Sequence, residues 1–275
     1  MDSYKLAYRI RCHGLEMTHV SHGSHIGAVM SVADIVAVLY ADLLNVDPKN
    51  PQKEDRDRFI LSKGHAGASV YAALAEKGFF DTKELLTHYA DGSRLSGHVS
   101  HKGIPGVELS TGSLGHGLSV AVGMAYAAKL QGHTYKVVVV MGDGECNEGS
   151  VWEASLFAHH HKLDNLIAIV DHNKIQGITF CEDTMSIDPL WKKFEDFGYQ
   201  VYNIDGHNHD AIRNAYTAPS NGLPKMIVAN TVKGKGVSFM ENDNLWHFRW
   251  PREEEMEMAL KELEVSFNNR MKDER

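Results

Sequence analysis

The sequence predicts an α/β protein: a doubly wound, mostly parallel sheet with helices on both faces. Three observations predict it. Short apolar runs at residues 137–141 and 166–170 are rich in Val, Ile and Leu and lack alternation, the pattern of strands buried on both faces. Helical stretches alternate with these runs along most of the chain. The two runs end on Gly142-Asp143-Gly144 and Asp171-His172-Asn173, with a helical stretch between them. That is a βαβ unit, so both ends open on one edge of the sheet, where ligands of such sheets bind.

The elements follow in order. Residues 3–18 read as a helix with Leu6, Ile10 and Leu15 on one face. A Gly-, Ser- and His-rich loop spans 21–27. A second helix covers 31–44, started by Ser31 and carrying Val32, Ile35, Val36 and Leu39. A short strand at 58–62 leads through Gly64-His65-Ala66-Gly67 into a helix ending at Lys77. Residues 91–113 lack periodicity, and loops of that length in compact domains are usually functional. A helix rich in small residues covers 115–130, and the βαβ unit follows with its helix at 149–163. Helices at 189–197 and 210–218 alternate with strands at 199–204 and 225–231. An irregular stretch from 231 to 250 and a charged surface helix at 253–268 complete one domain spanning 1–275.

Bulk numbers bound the function. The 275 residues are 43% hydrophobic and 23% charged, as in an ordinary soluble globule. A net charge of −8 argues against a nucleic-acid surface. Cys12, Cys146 and Cys181 form no CxxC pair, which suits a reducing, cytoplasmic setting, and Cys146 reads as a packing residue. Asp2, Lys5, Arg9 and Arg11 exclude a signal peptide at the N-terminus. Residues 109–128 carry no formal charge but are broken by polar residues and glycines, so they do not read as a membrane span.

The chemistry gathers at the strand ends. Asp143 and Asn173 bring two side-chain oxygens to one edge, a donor set for a hard cation such as Mg²⁺, which also takes phosphate oxygens and water. The flanking glycines let backbone approach a diphosphate. Seventeen histidines are present. His13, His88, His133 and the run His159-His160-His161 read as surface or supporting residues. His25, His65, His98 and His116 sit in glycine-bracketed turns, and His247 lies in the late irregular stretch. Neutral imidazoles beside a diphosphate could donate hydrogen bonds and shuttle protons near pH 7. A zinc site is the rival reading, but no HxH, HExxH or Cys–His spacing supports it.

These segments together resemble the diphosphate-binding part of the transketolase family. The resemblance is carried by Gly23 to Gly27, Arg56 to His65, Gly97-His98, Thr111 to Gly117, Gly142 to Gly149, Asp171 to Gly177 and Trp246-His247, in order over nearly the whole chain. It implies the thiamine diphosphate-binding fold, with thiamine diphosphate and Mg²⁺ (or Ca²⁺ or Mn²⁺) as cofactors. It implies that Asp143, Asn173 and the carbonyl of Ile175 hold the metal. The cofactor would be bound by His65, Gly112, Leu114, Gly142, Asp143, Gly144, Glu145, Asn173, Ile175 and His247. His25, His65, His98 and His247 would line the channel to the reacting carbon. Glu148, a catalytic position, and Glu153 match acidic positions at the family's subunit contact. For these two the plain alternative is carboxylates stabilising a helix N-terminus.

A whole transketolase also carries a pyrimidine-binding domain with the glutamate that activates the cofactor, for which this sequence has no room. The resemblance therefore implies the N-terminal subunit of a split enzyme. It would be active only with a C-terminal partner subunit, in an α2β2 assembly, moving a two-carbon ketol unit from a ketose or its phosphate to an aldose or its phosphate. The alternatives are the alpha subunit of a 2-oxo acid dehydrogenase-type decarboxylase and a catalytically silent cofactor-binding module. Two departures bear on the substrate. His116 replaces the usual glutamine in Leu114-Gly115-His116-Gly117, and Phe248, Arg249 and Trp250 replace small residues after His247. Arg249 would either attract an anionic sugar substituent or pack against the partner.

Overall fold

The computed structural model describes residues 1–273. Five parallel strands form one sheet: β1 (Arg58–Leu61), β2 (Val137–Gly142), β3 (Leu166–His172), β4 (Gln200–Asp205) and β5 (Lys225–Asn230). Their spatial order is β1-β2-β3-β5-β4. β2 and β3 are buried almost throughout, which is why their sequences are unbroken apolar runs rather than alternating ones.

Alternate residues of each strand feed two separate cores, as the pleat requires. Val138, Val140, Ile167 and Ile169 face a layer that contains α1 (Ser3–Ser21), α2 (Ile26–Val38), α3 (Gly67–Glu76), α8 (His209–Thr217) and α9 (Glu253–Asp273). Val137, Val139, Met141 and Val170 face α4 (His116–Gln131), α5 (Gly149–His160) and α7 (Leu190–Asp196). A short helix, α6 (Cys181–Met185), follows β3 and has no counterpart in the sequence reading. The sheet is thus covered on both faces, as predicted.

α1 is capped by Asp2, whose carboxylate accepts the backbone N–H of Lys5 at 2.9 Å. The second helix starts earlier than its sequence suggests. Ser31 is not its cap. His25 takes the left-handed conformation (φ 74°) and the helix begins at Ile26. Ser31 lies buried mid-helix, its hydroxyl shared between the Ala28 carbonyl at 3.1 Å and Asp171 Oδ2 at 2.6 Å. A serine reads as a cap when its hydroxyl serves the local backbone; here a distant carboxylate claims it. All thirteen residues of α2 are buried. Residues Ile26–Leu43 are the one described helical stretch long and apolar enough to cross a membrane, yet 83% of that window is buried inside the protein, as in a core helix.

The C-terminal edge of the sheet receives the functional loops. Gly64 lets the turn after β1 touch the 97–112 segment, since a Cβ there would stand 2.4 Å from the Thr111 carbonyl oxygen. Thr111 Oγ1 in turn donates to the Leu61 carbonyl at 2.6 Å, and Val99 N–H to the Gly64 carbonyl at 3.0 Å.

Candidate active site

A cavity of about 530 Å³ opens at that edge. It is lined by every residue singled out for cofactor, metal or catalysis: His25, His65, His98, Gly112, Leu114, Gly142, Asp143, Gly144, Glu145, Glu148, Asn173, Ile175 and His247. They come from the ends of β1, β2 and β3 and from four loops, so only the fold unites them. His116 is not among them; it is exposed on the first turn of α4. His13 and His88, read as surface or supporting residues, are buried, His13 against Glu76 at 2.7 Å.

The floor is electrostatically unbalanced. Asp143 is 3% exposed, and no Lys, Arg or His forms an ion pair with it among the described residues. Its carboxylate accepts backbone N–H groups, from Gly144 at 2.7 Å and Lys174 at 2.5 Å. Burial pushes its pKa upward, with nearby His172 opposing the shift and Asp171 adding to it. Asn173 Oδ1 accepts from Ile175 N–H at 3.1 Å, and the carbonyl of Ile175 accepts from Lys233 Nζ at 3.3 Å. One carboxylate, one amide oxygen and one carbonyl form a hard oxygen donor set, and an uncompensated buried carboxylate fits a bound cation. The residues therefore fit a divalent metal.

Glu145 lines the cavity with its carboxylate already engaged by the chain. Both its oxygens are engaged, one by Ser62 Oγ and Gly115 N–H (2.8 Å), the other by Gly142 N–H (3.1 Å). It ties three loops together rather than presenting a free oxygen. Burial raises its pKa.

Four imidazoles crowd the cavity around His25. Its ring centroid lies 5.3 Å from that of His65, 5.4 Å from His98 and 4.8 Å from His247. Burial lowers all four pKa values, that of His25 to about 4 and that of His247 to about 3. For His25 and His247, the Lys233 and Lys63 ammonium groups add to the effect. At neutral pH the four rings are uncharged, able to donate from one nitrogen and accept at the other.

Sequence reasoning missed two lysines. Lys63 is buried in an ion pair with Asp171. Lys233, 2% exposed, donates to the carbonyl of Gln176 at 3.1 Å and approaches His247 Nδ1 at 3.2 Å. A signal was present, because Val232-Lys233-Gly234-Lys235-Gly236 directly follows β5 at the ligand-bearing edge. Arg249, weighed for anion capture, is held by Glu255 through two contacts at 2.8 and 2.6 Å and lies 4.0 Å over the Trp246 ring. It packs the late segment, though against its own chain. Phe248 is 60% exposed beside His247.

Residues 3–270 match the family model described as transketolase, thiamine diphosphate binding domain. The chain is 46% identical to one subunit of an apulose-4-phosphate transketolase from Actinobacillus succinogenes, over 88% of each chain. It is 42% identical to a 6-deoxy-6-sulfo-D-fructose transketolase subunit of Clostridium sp., over 87% of this chain and 88% of that one. The transketolase structure from Campylobacter jejuni superposes with a TM-score of 0.87 at 30% identity, covering 97% of this chain. The chain spans only 42% of that transketolase's length. Fold, cavity and sequence matches agree: the chain belongs to the transketolase family, as a thiamine diphosphate-binding domain of the N-terminal type.

Proposed function

We propose that this chain is the cofactor-holding subunit of a two-chain transketolase that transfers a two-carbon ketol unit between a ketose and an aldose, free or phosphorylated. One observation carries the reading: four neutral imidazoles surround a cavity whose floor holds the uncompensated Asp143. Asp143, Asn173 and the Ile175 carbonyl hold Mg²⁺ or a similar divalent ion. The backbone of Gly144 and the rings of His65 and His247 face the diphosphate, with Gly112, Leu114 and Gly142 shaping its bed. Thiamine diphosphate, when bound, supplies the electron sink for breaking and remaking a carbon–carbon bond. The protein's own residues orient and move protons. His25, His65, His98 and His247 donate to substrate hydroxyl and developing alkoxide oxygens and relay their protons, as neutral rings can.

The partner brings the pyrimidine-binding domain and its activating glutamate. The relatives named as subunits, one of which this chain matches over 88% of its length, support this division. Glu148 and Glu153 are exposed near α5, open to a subunit contact in an α2β2 assembly. A cytoplasmic location is part of this reading, and the free cysteines Cys12, Cys146 and Cys181 suit it. The test is reconstitution. The chain alone should show negligible ketol transfer, and adding the partner should restore it with ketose donors but not 2-oxo acids. Robust activity of the lone chain, free of partner by mass spectrometry, would defeat the two-chain reading.

A further inference from the structure

Two side chains outside the cavity hold both ends of the segment that carries Lys233. Val232 donates its backbone N–H to Nε2 of His207 at 2.9 Å. The carbonyl of Lys235 accepts from Nε of Arg11 at 3.0 Å. Both supports converge on one carboxylate. Asp34, 6% exposed within α2, accepts from Nδ1 of His207 at 2.7 Å and from the Arg11 guanidinium at 2.6 and 3.1 Å. A backbone N–H can only donate, so Nε2 of His207 must accept and the ring proton sits on Nδ1. Asp34 therefore sets both the orientation and the tautomer of His207.

Lys233 needs such support. Its ammonium reaches the Ile175 carbonyl at 3.3 Å, the Gln176 carbonyl at 3.1 Å and His247 Nδ1 at 3.2 Å. These distances lie at the long end of the hydrogen-bonding range, so a small retreat of the backbone breaks them. An ammonium cannot accept, so this contact also leaves the ring proton of His247 on Nε2. A Cβ on Gly177 would lie 3.3 Å from that nitrogen.

We propose that His207, oriented by Asp34, is a positioning residue for Lys233 and, through it, for His247 and the Ile175 carbonyl. The inference rests on the thiamine diphosphate reading of the cavity. His207 follows β4, the strand on the far side of β5 from β3, and its ring hydrogen bonds go to Asp34 and Val232 rather than to the cofactor residues.

Two substitutions separate the halves of its role. In His207→Asn the amide nitrogen can still donate to Asp34 but nothing reaches Val232. In His207→Gln the amide oxygen can accept from Val232. Titration of thiamine diphosphate with Mg²⁺ into the reconstituted two-chain complex reads the effect, alongside the thermal midpoint of the chain without cofactor. His207→Asn should weaken binding roughly 10–100-fold, the usual cost of losing a group that orients a ligand-bearing residue. Its midpoint should stay near that of wild type, and His207→Gln should regain most of the affinity. Wild-type affinity in His207→Asn would overturn the positioning role alone. Equal losses in both variants, tracking a fall in midpoint, would reduce His207 to a structural residue and also overturn it. Failure of the reconstituted wild-type complex to bind would remove the cofactor reading and this inference with it.

Discussion

Asp171 and Asp143 end neighbouring parallel strands, with Asp171 in register opposite Gly142, yet only Asp171 has a cation of its own. Lys63 pairs with Asp171 in the interior, and Ser31 and Thr231 complete its hydrogen bonds. Asp143 is left to backbone amides. One carboxylate is paired within the chain, and the other lines the cavity with no ion-pair partner among the described residues.

The two should therefore respond differently to neutral substitution. Asp143→Asn should abolish Mg²⁺-dependent binding of thiamine diphosphate, measured by isothermal titration with and without the metal. Asp171→Asn should instead cost stability, about 3–5 kcal/mol, because it strands the buried Lys63 ammonium. Urea unfolding reads this second effect. Unchanged cofactor affinity in Asp143→Asn would take Asp143 out of the site.

His247 and Arg249 should show different kinetics in the reconstituted enzyme. On the proposed reading, His247→Ala removes a donor beside the reacting centre and should lower turnover about 10²–10³-fold on all substrates. Arg249 is committed to Glu255 and Trp246, so Arg249→Ala should change phosphorylated and unphosphorylated sugars alike. A rise in the Michaelis constant confined to charged sugars would return Arg249 to anion recognition.

Gly115 should not tolerate a side chain. Its φ is +84°, and an added Cβ would meet Cβ of Glu148 at 2.6 Å and Oγ of Ser150 at 2.7 Å. The left-handed conformation alone costs about 1–2 kcal/mol for an L-residue. Gly115→Ala should lose at least that much in urea unfolding. It should also weaken cofactor binding, since Gly115 N–H is tied to Glu145. A variant as stable as wild type would mean that this turn yields more readily than its contacts suggest.

Acid should destabilise the fold between about pH 6.5 and 4. Burial lowers the His88 pKa to about 4, and its Nε2 has no hydrogen-bond partner. Between those values the unfolded chain takes up a proton that the folded ring refuses, so stability falls as pH falls. His88→Gln should unfold with a shallower loss between pH 7 and pH 5, by denaturant midpoints at both values. Parallel slopes for the two proteins would show that His88 does not contribute.

The βαβ unit was legible because its strands are buried on both faces, which forces continuous apolar runs, and because polar residues interrupt those runs where the ligand edge begins. Of the histidines that line the cavity, His25, His65 and His98 stood out through glycine-bracketed turns and His247 only through the resemblance, while His116, in a turn of the same kind, lies outside it. The start of α2 was not, because Ser31 carries a local capping signal that a distant carboxylate overrides. Nor was Arg249, whose partner Glu255 lies on the next helix.

By itself the sequence determined the layer order, the ligand-bearing edge and the residue types that reach it, since periodicity, strand burial and turn chemistry are local properties of the chain. Only the tertiary structure decided which charges meet. It gave Asp171 a lysine and Asp143 none, drew Glu145 into the scaffold, and set Lys233 behind His247 with His207 and Asp34 supporting it. Those pairings join residues as far apart as 173 positions in the chain. Their energies depend on burial and on distances of about 3 Å, which exist only once the elements have packed.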